Sequence, residues 1–170
     1  MLIKQSFRGR VDLGGLSQTL YHSPVSGYNN IHWTNVMCDE GGFFDTTYKV
    51  IRPPYGSRLK VGIGTWVSAN HAPPTLVPGS GFDCCLKMIV NDTLGTTPTR
   101  DLAVPGWVPA GFPGTAGATI TFEDDVGHTP TFTDFYTAKL YVTSVNAAND
   151  VLLDGNPAHT WMWWEVQTCS

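Results

Sequence analysis

Charge is scarce in this chain. Asp, Glu, Lys and Arg make up 14 per cent of its 170 residues, against roughly 25 per cent in an average soluble protein. A charge-poor surface on a chain with six Trp, six Tyr and eight Phe implies that some aromatic surface is covered by a partner. The formal net charge of -4 argues against a broad nucleic-acid footprint. Long apolar runs are missing too: none reaches the ~18 residues of a membrane span. The opening MLIKQSFRGR lacks the apolar core of a secretory signal. The expectation is a chain without nucleic-acid or membrane partners, made in a cytoplasm and kept there until assembly or lysis.

Catalytic signatures are absent as well. There is no G-x-S-x-G, H-E-x-x-H, P-loop or C-x-x-C, and no clustered H-x-H with a following Glu. His22, His32, His71, His128 and His159 are isolated in sequence and read as scattered surface histidines. Glu123-Asp124-Asp125 is the densest acidic cluster. It reads as a solvated turn, with a calcium site as the alternative. Asn91-Asp92-Thr93 matches a glycosylation acceptor but reads first as a turn. The expectation is therefore no enzyme, no catalytic residue, no metal and no cofactor. The four cysteines have no framework spacing. Cys84 and Cys85 are adjacent, which disfavours pairing. Free thiols are expected, with a Cys38–Cys169 disulfide as the alternative.

What the chain has is a period of two. Eighteen Gly and twelve Pro leave no room for long helices. In RLKVGIGTWVSA, Leu59, Val61, Ile63 and Val67 share one face, and Lys60, Gly62, Gly64, Trp66 and Ser68 the other. Phe82, Cys84, Leu86, Met88 and Val90 share a face. Ala118, Ile120 and Phe122 alternate with Thr119, Thr121 and Glu123. Tyr136, Ala138, Leu140 and Val142 alternate with Thr137, Lys139, Tyr141 and Thr143. Each pattern predicts an antiparallel strand with one face on a core. Shorter strands are predicted over 16–22, 31–37, 48–51, 151–153 and 159–168, and long loops over 70–81 and 93–117. About nine short strands between turns describe an all-β sandwich.

The last strand has apolar residues on both faces. Met162, Trp164 and Val166 lie on one, Trp161 and Trp163 on the other. A sandwich strand needs only one, and an indole offers on the order of 150–250 Å² to bury. A loop of the same chain, a neighbouring protomer or an external ligand could cover Trp161 and Trp163. The neighbouring protomer is the preferred reading. Trp66 and Tyr141, outward on their strands, join them as candidate contacts with such a neighbour.

Residues 31–39 are followed by GGFFDTTYKVIRPPYGSRLKVGIGTWVSA. This stretch resembles the globular head shared by the q subunit of the first complement component and tumour necrosis factor. The residues that carry the resemblance are Phe44-Asp45, the segment 48–51, the turn Pro54-Tyr55-Gly56 and the long strand 59–67. CLKMIVND is similar to the family's following strand. The resemblance spans most of residues 13–168. The segment 93–117 is longer than the family's pattern, and the WMWW ending replaces its usual aliphatic one. The resemblance implies a ten-stranded, antiparallel two-sheet jelly roll that packs as a homotrimer around aromatic and aliphatic residues. Similar modules occur in phage and bacterial proteins, at fibre tips and on capsid surfaces.

The protein expected from these residues and this resemblance is then as follows. Residues 1–12 are an arm and 13–170 the jelly-roll domain. Lys4, Arg8 and Arg10 attach the arm to a particle. The protein is a virion structural trimer, decorating or cementing a capsid alongside other virion proteins. The alternative is a receptor- or glycan-binding head of a phage tail fibre or spike, with Tyr55, His71 and Trp107 on ligand-facing loops.

Overall fold

A computed structural model of the chain describes residues 4–20, 28–69, 81–90, 100–102, 108–111, 115–127, 134–144 and 151–169. Fourteen strands follow in order: β1 (Lys4–Asp12), β2 (Gln18–Leu20), β3 (Tyr28–Asn30), β4 (Asn35–Asp39), β5 (Phe44–Asp45), β6 (Val50–Ile51), β7 (Arg58–Ala69), β8 (Gly81–Val90), β9 (Arg100–Leu102), β10 (Val108–Gly111), β11 (Thr115–Asp125), β12 (Tyr136–Ser144), β13 (Val151–Leu153) and β14 (Trp161–Cys169). They form two seven-stranded sheets. The first has the order β2-β13-β7-β14-β1-β4, with β11 on the other side of β7. The second has the order β10-β8-β12-β6-β5, with β3 on β12 and β9 on β8. Every pairing is antiparallel.

The core lies between the sheets, where the period-two pattern puts it. Leu59, Val61, Ile63 and Val67 of β7 meet Leu86, Met88 and Val90 of β8 and Tyr136, Ala138 and Leu140 of β12 in one buried cluster. Met162, Trp164 and Val166 join it from β14. Trp164 links the layers by stacking on Phe44 of β5, ring centroids 5.6 Å apart. The Tyr136 hydroxyl donates to Asp124 Oδ2 over 2.7 Å, which satisfies a buried phenol.

Several expectations are corrected. Residues 4–12 are no arm: they form β1, held between β14 and β4. The segment predicted as one strand over 31–37 is broken. Ile31 and Trp33 are buried, yet residues 31–34 run outside any ladder and the strand resumes at Asn35. The alternation there reported burial rather than sheet pairing. The loop predicted over 93–117 contains β9, β10 and the start of β11. Cys38, by contrast, is the free thiol expected, and exposed; the alternative Cys38–Cys169 disulfide is not formed.

Candidate functional site

The outward face of the first sheet carries the candidate site. Cross-strand partners in an antiparallel ladder share a face, so the register reads as rows. One row runs Gly62 (β7), Trp163 (β14), Arg10 (β1), Cys38 (β4). A second runs Gly64, Trp161, Asp12. A third runs Glu123, Lys60, Glu165, Arg8, and a fourth Asp125, Arg58, Gln167, Ser6. The face thus has an aromatic half and a polar half.

The aromatic half is built on glycine. The Trp163 indole lies over Gly62 and the Trp161 indole over Gly64, so closely that any side chain at either glycine would overlap the ring. Trp66 lies over Gly117 of β11 in the same manner. All three rings lean from their own strand towards β7 or β11. They cover backbone, which leaves both β7 glycines buried while Trp161 and Trp163 stay half-buried and Trp66 is 40% exposed. Met37 and Leu16 add exposed apolar surface on the chain, at 60% and 68%. The choice of glycine was visible in the sequence: Gly62, Gly64 and Trp66 alternate on one face. Their role as seats for β14 needed the register.

The loop between β13 and β14 borders this half. Asp154 N–H donates to Trp66 O (2.8 Å), and His159 N–H to Asn156 O (2.8 Å). His159 Nδ1 lies 2.5 Å from Asp154 Oδ2, and its ring is 5.7 Å from Trp66, tilted by 35°. The bond to His159, then the Asn156 backbone N–H, hold the Asp154 carboxyl below the usual carboxylate range. Arg10 Nη2 donates to Pro157 O over 3.3 Å. The Asp154–His159 pair lay outside the sequence reading; two polar residues five apart in a Gly-Asn-Pro loop carry no motif.

The polar half is a ladder of alternating sign. Arg58 pairs with Glu123 at 2.6 Å and Lys60 with the same carboxylate at 3.6 Å. Arg8 stands 4.0 Å from Glu165, whose Oε1 accepts from Ser6 Oγ (2.7 Å) and Gln167 Nε2 (3.1 Å). The Arg58 hydrogen bond lowers the Glu123 pKa, and Ser6 then Gln167 lower that of Glu165. Arg58, Lys60, Glu123, Glu165 and Gln167 line a shallow depression of about 260 Å³. These exposed pairs set orientation more than stability. Among the described residues no three His, Cys, Asp or Glu side chains gather as metal ligands, the Glu123–Asp125 carboxylates included.

The remaining expected residues are scattered. Lys4, Arg8 and Arg10 project from β1 as exposed residues of this sheet. Tyr141 lies on β12 in the second sheet, opposite Cys85 and Tyr28, and so does not join the tryptophans. Tyr55 is 56% exposed in the turn after β6. His71 and Trp107 lie outside the described residues.

This architecture is that of a tumour-necrosis-factor-like jelly roll. Two crystal structures of murine APRIL, at pH 8.5 and pH 8.0, superpose with TM-scores of 0.54 and 0.55. Each is 9% identical and covers 95% of this chain and 98% of the other, a likeness that extends to fold alone. No protein-family model matches the sequence, and no curated protein matches it.

Proposed function

We propose that this chain is a non-enzymatic structural protein of a virion, a homotrimer of jelly rolls on the particle surface, assembled in the host cytoplasm. The observation that carries the reading is the tryptophan face. Three indoles seated on glycines form an outward aromatic surface, on a chain too poor in charge to screen it. A second copy is the occupant this surface fits, because cyclic packing repeats one patch around an axis. The polar ladder beside it supplies charges of both signs to fix the register between copies. The partners are then two further copies and the capsid or other virion proteins beneath them.

A second reading is a receptor- or glycan-binding head. It is favoured by Tyr48 and Tyr55, 69% and 56% exposed around β6 of the second sheet, away from the tryptophan face. Both readings share the trimer. Sedimentation tests it: Trp163→Ala should weaken association with little change in protomer melting. Trp164→Ala, in the core, should lower melting through a cavity costing roughly 3–5 kcal/mol. A wild-type monomer at micromolar concentration would refute the trimer. Binding to empty capsids separates the structural protein from the head, which would bind host cells or glycans instead.

A further inference from the structure

At its polar end the outward face of the first sheet has two margins of opposite sign. β4 stops at Asp39, opposite Gly9, so from Lys4 to Phe7 β1 is itself the outermost strand. Lys4 and Arg8 are exposed there, on the outward side of the ladder. At the other margin β11 pairs with β7 alone, and its outward residues Glu123 and Asp125 are exposed. Glu123 is shared between Arg58 and Lys60. Asp125 and Lys4 have no hydrogen bond or ion pair among the described residues. Glu40, beside Arg8, accepts the Arg8 backbone N–H. Four neighbouring strands put the two margins about 14 Å apart. That exceeds the Debye length of about 8 Å in physiological salt, so neither margin neutralises the other within one copy.

We propose that copies of this chain join head to tail through these margins, Lys4 and Arg8 of one against Asp125 and Glu123 of the next. The inference rests on the trimer reading. A closed ring of three is heterologous: each contact pairs two different patches of the same surface. The occupant of the cationic margin is then the anionic margin of a second copy, and the charges match. Opposite charges across an interface steer the encounter and reject wrong registers more than they add affinity. The aromatic half supplies the area, and the margins decide which way round the copies meet. The β1 cations, expected from the sequence to hold a particle, thereby gain a partner inside the trimer.

The test is sedimentation equilibrium of the full chain and its charge-reversed variants. Arg8→Glu and Asp125→Lys each set like charges against one another at every contact of the ring. Each should raise the dissociation constant at least about tenfold, because like charges juxtaposed across an interface are costly. The double variant restores opposite signs at all three contacts. It should return to within about threefold of wild type, the non-additivity expected of residues in contact. Thermal melts follow the protomer, since Arg8→Glu also faces Glu165 in its own copy. Should that variant melt early, Lys4→Glu takes its place, because the cross-strand partner of Lys4 is the uncharged Cys169. A trimer that neither single variant weakens, or a double variant no tighter than the singles, overturns the proposal and leaves the trimer standing. A wild-type monomer overturns both.

Discussion

Gly9 of β1 lies directly beneath the indole of Trp164 on β14, its cross-strand partner, with no room between them for even a methyl group. The pair closes the middle of the first sheet against the core. Gly9→Ala should therefore push the ring off its seat, costing about 1–3 kcal/mol, as overpacking does. At this chain length the expected fall in Tm is roughly 2–4 °C for each kcal/mol. Trp164→Phe in the same chain should recover part of the loss, because contacting residues couple. Thermal melts of the two single variants and the double variant check this, and strict additivity would contradict the contact.

Removing residues 1–12 should unfold the protein rather than trim it. The deletion takes away the strand between β14 and β4 and uncovers Trp164. Far-ultraviolet circular dichroism and limited proteolysis should show a collapsed, protease-sensitive chain. A truncated protein with native melting would mean that another segment can replace β1.

The Asp45 carboxylate organises the turn between β5 and β6. Its Oδ1 accepts the Thr47 and Tyr48 N–H groups at 2.9 and 3.0 Å, and its Oδ2 accepts Arg52 Nε at 3.0 Å. The Tyr48 N–H and the Arg52 and Thr47 bonds lower its pKa, against an opposing effect of burial. A lowered carboxylate contributes stability above its unfolded pKa of about 3.9 and loses it as pH falls through the lower folded value. Asp45→Asn should thus melt below wild type at pH 7, and the gap should close below about pH 4. A gap that does not narrow as pH falls below about 4 would point to a cause other than ionisation.

In the same turn Lys49 has φ of 59°, the single non-glycine with positive φ among the described residues. A side chain resists this conformation by roughly 1–2 kcal/mol, and glycine adopts it freely. Lys49→Gly should raise Tm by a few degrees, the equivalent of about 1 kcal/mol. A fall would show that the lysine side chain compensates for its backbone.

Much of the fold was legible because burial on one face leaves a period-two trace. That trace located β7, β8, β11, β12 and β14, and it separated Trp164 from Trp161 and Trp163. β1 escaped for a reason the structure supplies. In KQSFRGRVD the inward positions are Phe7, Gly9 and Val11, and the middle one is glycine because Trp164 occupies the space of its side chain. An apolar site filled from the neighbouring strand leaves no apolar letter of its own. Tyr141 was grouped with the tryptophans by its outward position on a strand, but alternation says nothing about which sheet a strand joins. The Asp154–His159 pair depends on a loop returning to Trp66, a long-range relation with no local signature.

The pairing of β1 with β14 also sets when this protein can fold. Ser6 and Glu165, bonded across the ladder, are 159 residues apart in the chain. β14 in turn is the strand that joins β1 to β7. During synthesis, at about 5–20 residues each second, β1 has only β4 beside it until β14 has emerged, and Trp164 arrives with it. Closure of the first sheet therefore waits for β14, and until then β1 and the β7 edge that β14 will cover are the segments most in need of a chaperone.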